Sequence, residues 1–197
     1  MNMKKRHTVL ALVGASSLLL AGCGGAESAA QDSLKEYSSA TANMLQATMD
    51  ATYEVNYGDS DKAEKLLEKQ LNNTAKSYHK VFCSEHSEDM PDEADSDDIY
   101  KMMKNLESGS GIPDKKELKN DIKQYKKSVD SKLKSVNKAI DKATFTELSD
   151  EEAVLESNTA SFKKMIGDDS VKFVKEDGDW KLCEWPDIDD ALEPAGW

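Results

Sequence analysis

The chain reads as an α+β protein: several helices, one of them long and amphipathic, followed by a small curved antiparallel sheet of three to four strands. Three observations predict this. Between residues 114 and 143, Leu118, Ile122, Tyr125, Val129, Leu133, Val136 and Ile140 recur at steps of 4, 3, 4, 4, 3 and 4. The mean step is about 3.67, the eleven-residue period of a nearly straight helix with one buried stripe. After Ala143 the apolar pattern turns to alternation, the period of a strand with one buried face. Residues 171–176 and 179–184 flank Asp177-Gly178, a pair suited to the left-handed backbone of a two-residue hairpin turn.

The elements follow in order. Residues 24–31 are small and polar and predict a tether. A first helix is expected over about 32–57, within an N-terminal helical segment 32–59, on a thin stripe of Leu34, Tyr37, Met44, Ala47, Ala51 and Val55. Gly58-Asp59-Ser60 breaks it, and Asp61 with Glu64 three residues on has the pattern of a cap. The main domain is expected over 60–185. Its first helix spans about 62–83 and turns Ala63, Leu67, Leu71, Tyr78, Val81 and Phe82 inward. Residues 84–98 hold Pro91 and eight acidic residues and read as a loop. Ser96 is the expected cap of a short helix carrying Ile99, Met102, Met103 and Leu106, and Ser108-Gly109-Ser110-Gly111 ends it.

The long helix comes next. Off its apolar stripe it carries ten lysines and few acids. One reading is a basic binding face; the favoured one is a solvated face balancing the acidic loop, since charge runs usually solvate. A strand is then expected over 144–148, a turn over 149–151, and a second strand from 153 reaching toward Phe162. In the closing hairpin Phe173 opposes Leu182 and Lys175 opposes Trp180, while Val174, Lys181 and Cys183 take the other face. The aromatics favour burying one face and Cys183 the other, so the pattern leaves the choice open. Residues 186–197 are acidic and proline-bearing, an expected extended tail, and no internal repeat is present.

The first 22 residues stand apart. Lys4, Lys5 and Arg6 precede an apolar stretch over 8–20, which closes on Leu20-Ala21-Gly22-Cys23. This is the layout of a secretory signal peptide, too short for a spanning helix. Its last four residues resemble the lipobox of bacterial lipoproteins. That resemblance implies a diacylglycerol on the Cys23 sulfur, cleavage before Cys23, and an extracytoplasmic protein held on the membrane by its acyl chains. Three of the 26 basic residues and none of the 38 acidic ones precede Cys23, so the remainder carries 23 against 38, or −15. Such a chain is repelled by nucleic acid and by anionic lipid surfaces, which leaves the anchor as the membrane contact. In an oxidising exported compartment Cys83 and Cys183 read as a disulfide closing a loop of about 100 residues. A zinc site drawing on His79, Cys83 and His86 is the alternative.

The run Val171-Lys172-Phe173-Val174-Lys175-Glu176-Asp177-Gly178-Asp179-Trp180-Lys181-Leu182-Cys183 resembles the closing hairpin of small nuclear-transport-factor-2-like domains of exported proteins and bacterial lipoproteins. Some exported members also place one Cys on an early helix and another just after the Trp-Lys-Leu strand, as Cys83 and Cys183 are placed here. Over residues 60–185 the resemblance implies a curved sheet wrapped by helices with a pocket inside. The family holds enzymes and non-catalytic members, so it does not choose a function.

Catalytic patterns are thin. His79 and His86 flank Cys83 with no associated nucleophile motif. Ser77 with Lys80 and Ser161 with Lys164 match S-x-x-K, but no K-T-G or S-D-N accompanies them. The acidic run lacks the glycine and spacing of an EF-hand, and no glycine-rich phosphate loop follows a strand, so no metal or cofactor is implied. The reading is a membrane-anchored exported lipoprotein acting as a non-catalytic binding module for a protein or small ligand. Phe173, Trp180 and Leu182 are the candidate ligand contacts, either packed on the long helix or lining a groove beside it. The alternative is a small enzyme using a nuclear-transport-factor-2-like pocket.

Overall fold

The computed structural model describes residues 23–88, 90–91, 93, 95–107 and 114–194. The expected signal peptide and the Ser-Gly break after residue 107 lie outside them. The elements are α1 Cys23–Tyr57, α2 Ser60–Val81, α3 Ser84–Ser87, α4 Ser96–Glu107, α5 Lys115–Ile140, β1 Thr144–Glu147, β2 Glu152–Glu156, α6 Ala160–Ile166, β3 Ser170–Glu176, β4 Asp179–Leu182 and α7 Asp189–Leu192. The strands form one open antiparallel sheet in the order β1-β2-β3-β4. The protein is α+β, as the sequence predicts.

The main departure is at the start. Residues 24–31, small and polar in composition, are not a tether but the first turns of α1. Ala26, Ala30 and Leu34 recur every four residues on one helix face, and Ala30 and Leu34 are fully buried in the main core. The Gln31 amide donates to the Ala143 carbonyl at 3.1 Å, and Lys35 pairs with Asp141 at 2.5 Å. Both contacts pin the start of α1 to the end of α5.

α1 is the central helix, with α2 and α5 packed antiparallel along it. Asp59 caps α2 by accepting from the Asp61 N–H at 3.0 Å, two residues ahead of the expected cap. From that turn α2 runs back along α1, with Lys62 beside Glu54, Tyr78 3.2 Å from Thr41, and Lys80 on Glu36 at 2.5 Å. α5 starts at an Asp114 cap accepting from the Lys116 and Glu117 N–H groups. Its expected stripe is seated as predicted: Leu118, Ile122, Tyr125, Val129, Val136 and Ile140 are buried. A smaller cluster of Ala51, Ala63, Leu67 and Ile99 joins α1, α2 and α4 at the far end. Asp95 accepts from the Asp97 N–H at 2.6 Å at the start of α4, where the expected cap Ser96 has a side chain outside those described.

The hairpin has the expected register, Phe173 opposite Leu182 and Lys175 opposite Trp180. Which face is buried follows from the chain after α2. Phe82 leaves the helix with an extended backbone and bridges Leu182 in parallel, and the Cys83 N–H donates to the Leu182 carbonyl at 2.8 Å. In a strand-like stretch successive side chains point to opposite faces. Phe82 therefore enters the core, and Cys83 turns to the other face, where it forms the disulfide with Cys183. The aromatic face is buried and the cysteine pair still closes.

Two further expectations are corrected. β2 stops at Glu156, and the segment reaching Phe162 is instead α6. Thr159 caps it by accepting from the Phe162 N–H at 3.2 Å, and Phe162 and Ile166, four apart, enter the core together. α6 ends at Gly167, whose φ of +87° is the left-handed conformation that glycine adopts without a Cβ clash. A Cβ there would lie 2.5 Å from that of Asp187. Over its described residues, 186–194, the tail is not extended either: Ile188 and Leu192 are fully buried and α7 packs on α5 and α6. Burying two such side chains contributes roughly 1.5–3 kcal/mol each, enough to hold an acidic segment against the fold.

Candidate ligand cleft between three helices

The residues nominated from the hairpin are core residues. Phe173 and Leu182 have 0 % of their surface exposed and Trp180 7 %. β4, which carries Trp180 and Leu182, packs on α1, and all three side chains share one core with Val129, Val136 and Ile140 of the long helix. The Trp180 ring meets Phe145 edge-on at 5.2 Å, with the Lys175 ammonium 5.4 Å from its centroid. Trp185, just beyond the hairpin, is half exposed, at 50 %. It lies on Phe82, with ring centroids 4.1 Å apart, and caps a cluster with Tyr37, Tyr78 and His86. Desolvation in that cluster, then the neighbouring Tyr78 and Asp189, pushes the Tyr37 hydroxyl above its ordinary range.

The cysteine region is structural. Cys83 and Cys183 are disulfide-bonded with Cα atoms 5.3 Å apart. Among the described residues the potential metal-ligand group here is Cys83, Glu85 and Cys183, without His79 or His86. Both sulfurs are committed to each other. Of the S-x-x-K pairs, Lys80 is held by Glu36, and Ser161 and Lys164 are exposed at the start and middle of α6. The acidic run is dispersed over α3, the following turn and the first turn of α4, with Asp89 and Asp92 outside the described residues.

A concave site of a different kind lies where α1, α2 and α5 meet. It is a cleft of about 590 Å³, within the range of small-molecule sites. Tyr53 of α1, Leu66 of α2 and Ile122 of α5 supply its apolar lining; Ile122 is buried, and Tyr53 and Leu66 half-buried. Lys62, Lys119, Lys123, Lys126 and Lys127 also line it, with Asp50, Glu54 and Asp130. Three of these carboxylates and two of the lysines are already engaged. Lys62 bonds Glu54, which raises the lysine's pKa and lowers the carboxyl's. Lys126 pairs with Asp50 at 2.5 Å, and Asp130 accepts from the Gln46 amide at 2.8 Å. Lys119, Lys123 and Lys127 have no carboxylate within salt-bridge distance among the described residues. At one end Lys115 sits 5.8 Å from the Tyr53 centroid and donates to the Tyr57 carbonyl at 3.3 Å.

The local sequence explains the geometry. Lys115, Lys119, Lys123 and Lys127 recur every four residues, so they stack along one face of α5. Adjacent like charges at that spacing destabilise a helix by about 0.2–0.5 kcal/mol per pair. By sequence alone these lysines read as a solvated face rather than as a site. The signal was present, an unbroken four-residue lysine row bordering the buried stripe at Ile122. What the sequence could not supply was the opposite wall, Tyr53 and Leu66 from two other helices. No family model, curated protein or solved structure matches this chain.

Proposed function

We propose that this is an exported, lipid-anchored, non-catalytic binding module, and that its ligand occupies the cleft between α1, α2 and α5. The observation that carries the binding reading is the row of uncompensated ammonium groups at Lys119, Lys123 and Lys127 beside an apolar lining of Tyr53, Leu66 and Ile122. Such a row costs helix stability, and an anionic ligand would offset that cost. The anchoring part rests on Leu20-Ala21-Gly22-Cys23 and the basic and apolar segments before it. Among the described residues no helix is long and apolar enough to cross a membrane, so attachment would fall to the acyl chains. Among the described residues the enzyme alternative draws on no comparable grouping: the cleft lining holds lysines and engaged carboxylates, and no histidine, serine or cysteine is part of it.

Two measurements test this. The intact mass of protein purified from its own membranes should start at Cys23 and include diacylglycerol, and Cys23→Ala should lose that mass; an unlipidated wild-type product would end the anchoring proposal. Native mass spectrometry of the same preparation should find a small-molecule adduct that Lys123→Glu and Ile122→Trp both lose. An adduct retained by both variants, with the fold intact by circular dichroism, would place the ligand elsewhere.

A further inference from the structure

We infer that the ligand of this cleft is a free amphiphilic anion, carrying one or two negative charges on a short apolar body. The inference rests on the binding reading above and adds the ligand's class. The lining holds five lysines against three carboxylates, an excess of two positive charges. That excess sets the ligand charge. A polyanion such as a nucleoside triphosphate or a nucleic acid would bring more charge than the site can match, against Asp50, Glu54 and Asp130 and an overall charge of −12. A small hydrated anion would leave Tyr53, Leu66 and Ile122 unused, although apolar contact area is the main source of affinity in such sites. An acid with an apolar body uses both halves. Its head meets Lys119, Lys123 and Lys127, and its body lies on Ile122, Leu66 and the Tyr53 ring.

The source is a soluble molecule rather than a headgroup of the anchoring membrane. α1 runs unbroken from Cys23 to Tyr57, and the cleft residues Asp50, Tyr53 and Glu54 lie 27 to 31 positions along it. At 1.5 Å per residue that is about 40–46 Å from the proposed acylation point.

The test uses the full acylated protein in nanodiscs of neutral phosphatidylcholine, titrated calorimetrically with hexyl phosphate, inorganic phosphate and hexanol. Hexyl phosphate should bind at least tenfold more tightly than either of the others. Substituting Gln at Lys119, Lys123 and Lys127 together should weaken hexyl phosphate at least tenfold, and its affinity for wild type should fall with added salt. Leu66→Gln should weaken hexyl phosphate and leave inorganic phosphate unchanged. These lysines are exposed, so the triple variant is expected to fold, and circular dichroism checks it. Equal affinity for hexanol, equal affinity for inorganic phosphate, or an unchanged triple variant would overturn the ligand class. Displacement of hexyl phosphate by phosphatidylglycerol placed in the nanodisc would make the ligand a headgroup and overturn the free-ligand claim. The binding reading fails separately: it falls only if the native adduct is also indifferent to Lys123→Glu and Ile122→Trp.

Discussion

Removing the Cys83–Cys183 disulfide should cost the protein several kcal/mol, and most of it through the unfolded chain. The two residues are 100 apart in sequence. Closing a loop of that length removes chain entropy worth up to about 4.7 kcal/mol at 25 °C. The folded state loses much less, because the Phe82–Leu182 bridge and the Cys83 N–H bond to the Leu182 carbonyl do not depend on sulfur. A serine at the fully buried position 83 leaves a hydroxyl to satisfy, which adds a native-state cost of roughly 1 kcal/mol. Cys83→Ser, Cys183→Ser and the double variant should therefore each lose about 2–5 kcal/mol, by similar amounts. In a chain of this size that lowers the melting temperature by roughly 4–20 °C. Urea denaturation monitored by circular dichroism measures it, with wild type in reductant as a fourth sample expected to match the variants. Two titratable thiols in the unfolded, unreduced protein, or a double variant as stable as wild type, would refute the reasoning.

Two other outcomes follow from the same packing. Trp180→Ala should destabilise by roughly 3–5 kcal/mol, since the ring is 7 % exposed and packed against Phe145; a loss under about 1 kcal/mol in the same urea assay would mean the ring is not core. Asp189 opens α7 with its carboxyl pKa raised, first by burial and then by Asp187, Asp190 and Glu193. An acid raised in the fold penalises folding once ionised, fully above its folded pKa and not at all below the unfolded value of about 3.9. Asp189→Asn should thus stabilise at neutral pH, and the gain should vanish as the pH falls below about 3.9. A gain that persists at low pH would point to a cause other than charge.

What was legible in the sequence was whatever a single element determines. The stripe from Leu118 to Ile140 gives α5 its bounds and buried face, and Asp177-Gly178 gives the hairpin its register, with φ of +53° and +91° at the turn. What failed was whatever a partner determines. The small residues 24–31 look like a linker until a neighbour is near enough for Ala26 and Ala30 to matter; small side chains are what close helix packing requires. Phe162 followed the strand before it in composition, yet Thr159 and Ile166 on either side fit a capped helix and the core takes it. The buried sheet face was open because the pattern offered two demands on one strand, and Phe82 with Cys83 met both. The cleft failed for the same reason as the tether. Its lysine row is local, and the walls facing Lys119, Lys123 and Lys127 come from positions more than fifty residues before them.

The length of α1 links the proposed anchor to the proposed site. If the turns between Cys23 and Leu34 could unwind, the protein would hang on a flexible leash and the cleft could approach the bilayer. Unwinding would expose Ala30 and Leu34, break the Gln31 bond to Ala143 and part Lys35 from Asp141. The leucine alone accounts for roughly 1.5–3 kcal/mol of lost burial. The Cβ surface of Ala30 and the partly buried Gln31 bond add about 1 kcal/mol more. Together these hold the turn closed in all but a small fraction of molecules, since each 1.4 kcal/mol is a factor of ten. An acyl chain on Cys23 would then meet the folded body with no slack, and the sheet end of α1 would face the membrane. The cleft, at the other end of the same helix, would open toward the solvent, where a soluble amphiphile can reach it.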